Sequence, residues 1–571
     1  MSQRTESNFA SLVVENAKRT PDKLCFAIGE DRLSYRDLLY RIAYLKREFE
    51  SLGVVQDDNV LITIAPSADF FAAILAVFSI GAVIIVIDPA MGVARLNHCI
   101  NMAKPKAWIT HKGKYWYLKW MMSSVRHIPI KIEISADRTP VDASSLPDVD
   151  VARATRCLAT FTTGSTGMPK ILYRDHSYLQ LQTCAISQSY AKLKGLPFRE
   201  DAKYSEEKDE VGFTNLTMVP LHFMKTGATC FVLNNIKSFD PEVVVNTMAE
   251  IGVTYGAVSP NVAHRLCTYC LNKNRPLPIK ILSVGGAPVY RHMVDDMRKA
   301  TSLGQLVIVY GSTEAEPIAF IDAEVKIDAE KETPDMGHCV GMPFLEGNLK
   351  VITAEEKDQT GTVEDLEVPS GVNGEIVVSG WHVNIEAAAK SRILLDRKGE
   401  KWLKTGDAGH VDDAGRVWLV GRTSWKVEKD GTTFWSVLVE EKIFDRFKDS
   451  ITFVSYFFRG EKTYLIVEKS RDAAIEKKDE IAAFLEEEAI PCDEFRMYDY
   501  VPRDRRHNSK PDMAALFSDD RGMLARFLMA FAAIIFAVWL LYTYGIGGGF
   551  IFLFLAAVVV LVFMWHQGLL F

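Results

Sequence analysis

The chain has 571 residues, 48% of them hydrophobic, and a formal net charge of −7. That length calls for two or more cores, and the negative balance gives nucleic acid no bulk electrostatic attraction. A nucleotide is not excluded, because glycine loops and helix N-termini supply positive field locally. The nine cysteines are scattered from Cys25 to Cys492, which fits a reducing compartment. Their one CxxC pair, Cys267 and Cys270, reads as two thiols a helical turn apart in an apolar stretch, not as a metal or redox motif. Residues 1–23 are polar, of mixed charge, and lack the apolar run of a cleaved leader.

From residue 24 to 87 the pattern is α/β. Leu33-Ser34-Tyr35-Arg36-Asp37 opens a helix that runs through Glu50 and stops near Gly53. Residues 60–65 read as a strand and 70–78 as a helix started at Ser67 or Asp69 and ended by Gly81. Residues 83–87 read as a buried strand closed by Asp88-Pro89. Hydropathy alone would make 70–87 one membrane helix; Ser79, Gly81 and the Val/Ile run divide it instead. Further strands are predicted at 107–110, 158–161, 216–219, 229–233, 255–258, 280–284 and 306–309, with helical patterns between most of them. Such alternation argues for a parallel sheet covered by helices on both faces.

After Gly337 short strands at 348–352, 375–378 and 417–420, separated by Gly and Asp turns, predict a β-rich subdomain. Beyond Gly421 a smaller α+β unit is predicted, with strands at 451–458, 463–467 and 494–498 and a helix at 478–487. Ser518-Asp519-Asp520-Arg521 reads as a linker. From Phe527 to Trp565 no residue is charged, and Tyr544-Gly545-Ile546-Gly547-Gly548-Gly549 splits the run in two. Each half is long enough to span a hydrocarbon core of about 30 Å, so a transmembrane hairpin is predicted, a buried soluble hairpin being the alternative. Trp539, Tyr542, Tyr544 and Trp565 stand toward segment ends. Arg521 and Arg526 place the preceding domains on the cytoplasmic side. The expectation is a multi-pass membrane protein with the lipid bilayer as a partner through residues 527–565.

The run Thr162-Thr163-Gly164-Ser165-Thr166-Gly167-Met168-Pro169-Lys170 follows the strand ending near Phe161. Its glycines let backbone N–H groups approach phosphate, its hydroxyls add rotatable donors, and Lys170 adds a point charge. No GxxxxGK[ST] sequence is present, so this is not a Walker loop; the bland alternative is a Gly/Ser/Thr surface turn. The nine residues resemble the phosphate loop of the adenylate-forming superfamily of acyl-CoA synthetases, peptide-synthetase adenylation domains and luciferases. Further blocks match in the family's order: Gly285-Gly286-Ala287-Pro288, Tyr310-Gly311-Ser312-Thr313-Glu314, Gly374-Glu375-Ile376-Val377, Thr405-Gly406-Asp407 and Gly421-Arg422. The likeness runs over residues 8–516.

The resemblance implies a large α/β N-terminal adenylation domain of stacked sheets with a β-rich subdomain (1–420) and a small mobile α+β lid domain (421–517). Residues 518–571 then form the linker and two-helix anchor. It implies ATP and Mg2+ as cofactors and a fatty-acid-like carboxylate as substrate, activated as its acyl-AMP with release of pyrophosphate. Thr162, Thr163, Gly164, Ser165, Thr166, Gly167 and Lys170 would cradle the phosphates, Gly286, Ala287 and Pro288 would form the adenine-binding segment, Tyr310 would stack on adenine, and Gly311 of the same block would also bind the nucleotide. Thr313 would donate to the α-phosphate, Glu314 would hold Mg2+, Asp407 would accept both ribose hydroxyls, and Arg422 would reach ribose or phosphate. Lys510, with Ser509 in the family's glycine position, would bridge the carboxylate and the α-phosphate. His222, in Leu221-His222-Phe223, falls at the family's acyl-substrate block. Each has a plain reading beside it: Thr313 and Glu314 as a capping pair, Asp407 as turn chemistry, Tyr310 as a core aromatic, Arg503–Lys510 as a basic stretch near lipid.

The hinge block Gly421-Arg422-Thr423-Ser424-Trp425-Lys426-Val427-Glu428 departs from the usual GRxxDxxK or GRxDD, with Ser424 or Trp425 where the hinge Asp stands. This block, Asp88-Pro89-Ala90-Met91-Gly92 and the form Arg506-His507-Asn508-Ser509-Lys510 are similar to the β-lactone synthetases of bacterial olefin biosynthesis. In those enzymes the substrate's own 3-hydroxyl attacks the acyl-AMP without coenzyme A. The alternatives are a long-chain acyl-CoA ligase, which alone would need coenzyme A, and a membrane-bound pseudoenzyme scaffold.

Overall fold

The computed structural model describes residues 8–517 except 30, 89–90, 112, 114–117, 120–121, 135–154, 164–168, 194–209, 237, 355–360, 471–476 and 504–510. Two sheets are stacked with helices between and outside them. In the six-stranded sheet the order is Ile130–Ile134, Ala107–His111, Asn59–Ile62, Val83–Val86, Arg156–Thr163, Pro169–Asp175, and only the last pair is antiparallel. The larger sheet has a parallel half running from Gln305–Ser312 through Ile281–Gly285, Tyr255–Val258, Val211–Thr214 and Thr229–Val232 to Leu24–Ile28.

The helices Phe9–Arg19, Tyr35–Ser51 and Ala68–Ile80 contribute to one core with strands of both sheets. This position explains why Ala68–Ile80 is apolar apart from Asp69 in its first turn and Ser79 in its last: a helix enclosed on nearly every side has little solvent face to keep polar. It starts at the Ser67 cap and stops at Gly81, whose φ of 78° suits glycine. The capping box of Ser34 and Asp37 fixes the start of Tyr35–Ser51. The outer face of the larger sheet is covered by Pro241–Glu250, Pro260–Asn272, Arg291–Ala300 and Ala323–Glu332; Val93–Ala103 covers the outer face of the smaller one. Cys267 and Cys270 lie buried on Pro260–Asn272 as free thiols.

One predicted strand is displaced. Residues 216–219 form a turn and the start of the helix Val219–Thr226, and the strand lies just before them, at Val211–Thr214. Pro220 in the first helical turn is the reason: proline suits that place and removes a ladder donor.

Beyond Gln305–Ser312 the larger sheet turns antiparallel, through Ala315–Asp322, His338–Pro343, Val417–Arg422, Lys401–Val411, Gly374–Val378 and Leu349–Ile352. After Arg422 a separate three-stranded sheet, Ile451–Arg459, Lys462–Lys469 and Glu494–Tyr498, builds its own core with the helices Ser436–Phe447 and Lys478–Glu487. The result is a two-domain α/β architecture.

The expected membrane hairpin is corrected. Among the described residues no helix is long and apolar enough to cross a membrane. The bilayer partner and the multi-pass placement, which rested on that hairpin, fall with it. Residues 527–565, where the hairpin was expected, lie outside the described residues. The feature behind the expectation was a charge-free run, and absence of charge reports composition without specifying a spanning helix.

The small domain docks through Ser436–Phe447. Phe444 stacks on His292 with ring centroids 4.2 Å apart and planes 8° from parallel. Glu440 accepts from the Tyr290 hydroxyl at 3.4 Å and from the Tyr456 amide at 2.8 Å. Glu441 faces His338 at 3.3 Å, and Arg291 reaches Asp445 at 3.5 Å. Burial pushes the Glu440 carboxyl up to about 8, against the Tyr456 amide that lowers it and with Glu441 that raises it. Burial likewise brings Glu441 to about 7, opposed by Arg291 and Lys326 and helped by Glu330 and Asp445. Burial holds His338 far below its ordinary value, with Lys326, Arg291 and His292 adding to the effect.

Two outcomes follow from these buried groups. Docking raises both carboxyls above their ordinary 4.5, so their contribution to docking is full below that pH and is lost as pH climbs through about 7 to 8. Small-angle scattering and proteolysis at the 421–425 hinge should therefore report a more open chain at pH 9 than at about pH 6, and Glu440→Gln should flatten the change; a response identical in the variant would refute it. Separately, Lys326 and Glu330 form an ion pair with both side chains 1% exposed, and Cys339 bonds to both. Glu330→Ala strands the lysine and should cost about 3–5 kcal/mol in urea denaturation.

Candidate active site

Parallel strands deliver their loops at the carboxyl edge, and ligands collect where strand direction changes. Here Gly285 at the end of Ile281–Gly285 lies in register with Val309 of Gln305–Ser312, and the next strand is antiparallel. A Cβ at Gly285 would stand 2.6 Å from the Val309 carbonyl, so only glycine allows this approach. Gly286 follows with φ 86° and turns the chain through Ala287 and Pro288 toward Tyr290. The adenine-binding turn expected at Gly286, Ala287 and Pro288 and the motif from Tyr310 to Glu314 thus leave neighbouring strands at the same edge.

Tyr310 is buried, and its hydroxyl donates to Asp407 Oδ2 at 2.8 Å. Burial, then Asp407, holds this phenol protonated, far above its ordinary value. Arg422 Nε lies 3.1 Å from Asp407 Oδ1, and Nη1 donates to the Thr405 carbonyl at 3.2 Å. Asp407 and Arg422 are cross-strand partners. Gly406, with φ 77°, makes room, since a Cβ there would meet Arg422 Nη1 at 3.3 Å. Each Asp407 oxygen has one donor and retains a lone pair, so two ribose hydroxyls fit it.

Gly311 leads into Thr313 and Glu314, and this turn is pinned from several sides. The Thr313 carbonyl accepts from Arg174 Nη2 at 3.0 Å, and Arg174 Nη1 donates to Thr160 Oγ1 at 2.9 Å. The Glu314 carbonyl accepts from the Asn384 amide at 2.7 Å and the Tyr178 hydroxyl at 3.2 Å. Glu314 Oε1 accepts from Arg392 Nη1 at 2.6 Å, with the Glu314 side chain 9% exposed. Among the described residues no three His, Cys, Asp or Glu side chains form a metal cluster. A lone carboxylate still suits Mg2+, which keeps several waters and takes phosphate oxygens.

The phosphate-loop expectation is framed by a hairpin. Arg156–Thr163 and Pro169–Asp175 pair antiparallel with Thr162 opposite Lys170 and Thr163 opposite Pro169, and Lys170 is exposed. Gly164, Ser165, Thr166 and Gly167 lie outside the described residues, as does Lys510. His222 sits within the helix Val219–Thr226, edge-on to Phe223, where burial and then Lys225 lower it to about 3 and keep it neutral. Arg174, Tyr178, Asn384 and Arg392 are absent from the sequence reading. Arg174 did carry a signal, a charge inside the otherwise strand-like Ile171-Leu172-Tyr173, one hairpin arm away from the loop.

Comparisons with known proteins agree with this arrangement. A family profile described as AMP-binding enzyme matches residues 13–384. The olefin β-lactone synthetase of Xanthomonas campestris pv. campestris is 24% identical over 459 residues, 74% of this chain and 80% of that protein. The structure of ATP-bound MatB from Rhodopseudomonas palustris superposes with a TM-score of 0.69 at 17% identity, covering 90% of this chain and 98% of that one. O-succinylbenzoate coenzyme A synthetase (MenE) from Bacillus subtilis, solved with ATP and magnesium, gives 0.66 at 16%, covering 88% and 98%. Because the profile spans most of the described chain, the protein belongs to the AMP-binding enzyme family and is an AMP-forming ligase, one that activates a carboxylate with ATP as an acyl-adenylate.

Proposed function

We propose that this ligase uses ATP with Mg2+ to activate a long-chain 3-hydroxy fatty acid, and that the substrate's own hydroxyl then closes a β-lactone without coenzyme A. The carrying observation is Asp407, held between Tyr310 and Arg422 at the switch edge of the sheet with a lone pair left on each oxygen. The β-lactone outcome is supported by the relative of that name and by the hinge. There Trp425, which with Ser424 stands where the usual family hinge would carry Asp, packs on Phe457 against a small-domain core, with ring centroids 5.7 Å apart. On this reading residues 1–420 are the adenylation domain and 421–517 the lid.

In the first step a carboxylate oxygen attacks the α-phosphorus; the O–Pα bond forms as the Pα–O bond to pyrophosphate breaks. Asp407 orients the ribose, and Tyr310 packs against the adenine that Gly286–Pro288 border. Thr313 donates to the α-phosphate, and the residues from Thr162 to Lys170 hold the phosphates. Lys510 bridges carboxylate and α-phosphate, offsetting charge that grows in the transition state. Bound at Glu314, Mg2+ would neutralise the β- and γ-phosphates. In the second step the 3-hydroxyl oxygen attacks the acyl carbon. The bond to AMP breaks, AMP departs, and the hydroxyl proton passes to solvent. Because that nucleophile is tethered, its effective concentration is high and no thiol site is required.

The test is carboxylate-dependent ATP–pyrophosphate exchange, followed by mass analysis of products from acids with and without a 3-hydroxyl. Exchange should occur with both, and a lactone, 18 Da lighter than its parent acid by loss of water, should form from the hydroxy acid alone. Lys510→Ala should lower the exchange rate about 100- to 1,000-fold, and Asp407→Ala should raise the KM for ATP about tenfold or more. Product formation strictly dependent on coenzyme A would overturn the lactone reading in favour of a thioester ligase.

A further inference from the structure

Arg392 belongs to none of the motif blocks, yet it touches the residue assigned to the metal. It ends the short turn Lys390–Arg392, just before the strand Ile393–Leu395 that lies along Lys401–Val411. Its guanidinium makes three kinds of contact: Nε donates to the Lys404 carbonyl at 2.9 Å, Nη2 to the Thr405 carbonyl at 3.4 Å, and Nη1 to Glu314 Oε1 at 2.6 Å. Two arms of the fork are therefore fixed on the strand that also carries Asp407. The third arm reaches across to the turn after Tyr310.

This geometry decides how Glu314 presents itself. Its backbone carbonyl is pinned by Asn384 and Tyr178, and Oε1 is taken by Arg392. Among the described residues Oε2 has no such partner. A carboxylate with one oxygen tethered offers the other as a single-point ligand, the mode Mg2+ accepts when it also binds phosphates and water. The ribose side joins the same frame, because Thr405 Oγ1 accepts from the Asp407 amide at 3.0 Å.

We propose that Arg392 is a positioning residue that holds Glu314 ready for the metal-bound triphosphate, linking the ribose half of the site to its metal half. The proposal rests on the reading of Glu314 as the Mg2+ residue. It makes a distinction that a merely structural arginine does not. AMP has a ribose for Asp407 but no β- or γ-phosphate and needs no metal, so losing Arg392 should harm ATP binding and spare AMP.

The experiment is calorimetric titration of the full chain, without acid substrate, with ATP plus Mg2+ and separately with AMP. Wild type, Arg392→Ala, Arg392→Lys and Glu314→Gln are compared, each first checked for a cooperative thermal melt. Arg392→Ala should weaken ATP binding about 10- to 100-fold and leave AMP within about twofold. Arg392→Lys keeps the charge without the fork and should fall between. Equal weakening of ATP and AMP would mean a structural role only. Unchanged or tighter ATP binding in Arg392→Ala would mean that Arg392 does not position Glu314 or competes with the metal. If Glu314→Gln itself leaves Mg2+-dependent ATP binding intact, the assignment of the metal to Glu314 fails, a result distinct from failure of Arg392 alone.

Discussion

A carboxylate with 18% of its side chain exposed cannot stand without partners, and Asp407 takes its two from opposite ends of the architecture. Tyr310 comes from the last parallel strand of the large sheet, and Arg422 from the strand that leads into the small domain. For both to reach Asp407 the ladder must run unbroken from Gln305–Ser312 through Ala315–Asp322, His338–Pro343 and Val417–Arg422 to Lys401–Val411. Glycines permit its tightest points. A Cβ at Gly409 would lie 2.1 Å from the Trp418 carbonyl and one at Gly341 2.2 Å from the Phe320 carbonyl. The candidate site is thus a property of sheet continuity as much as of its motif residues.

That dependence separates what could be read from the chain alone from what could not. Tyr310, Glu314, Asp407 and Arg422 sit in short blocks whose composition announces close backbone approach and charge, so they stood out in the sequence, and the structure brings Tyr310, Asp407 and Arg422 into contact. Arg174 and Arg392 act across 139 and 78 positions of chain. No local period or spacing encodes such a contact; it appears only when the hairpin Arg156–Asp175 and the antiparallel subdomain are folded onto the same turn. His222 is a different case: its block stood out in the sequence, and the structure places a neutral imidazole buried on a helix against Phe223, an environment that packing alone also satisfies.

The alternating layers were readable because the buried strands are short apolar runs, some of them β-branched like Val83–Val86, flanked by helical periodicity. Ala68–Ile80 was separable from a membrane span for the same reason, since Gly81 and the strand Val83–Val86 interrupt it. The charge-free run at 527–565 has no comparable internal check. Apolar composition sets a lower bound on burial without saying what does the burying, and no helix among the described residues spans a membrane. The misplaced strand at 216–219 has a simpler origin. Apolar residues before Pro220 satisfy a strand and a helix start equally, and only the proline's lack of a donor decides between them.

The two halves of the site are held by different kinds of force. Around Asp407 and Glu314 the contacts are ionic and charge-assisted, with the carboxylates shielded and their arginine partners partly exposed, which favours one fixed arrangement. Between the domains the contacts are a ring stack, Phe444 on His292, a partly exposed ion pair of Arg291 with Asp445, and two carboxyls that burial drives toward their neutral forms. Separating neutral groups requires no charge to be pulled from its counter-ion, and water can then ionise the exposed acids, which favours the open state. A rigid cradle beside a movable lid is the division that the proposed two-step reaction requires. On the proposed mechanism the ribose contact must persist through both steps, whereas the metal contact and Lys510 are required only while the acyl-adenylate forms and pyrophosphate leaves. Arg422, the first charged residue of the proposed lid, is itself fixed on Asp407 and the Thr405 carbonyl, so a lid that moves without disturbing Asp407 has to turn at the residues that follow it.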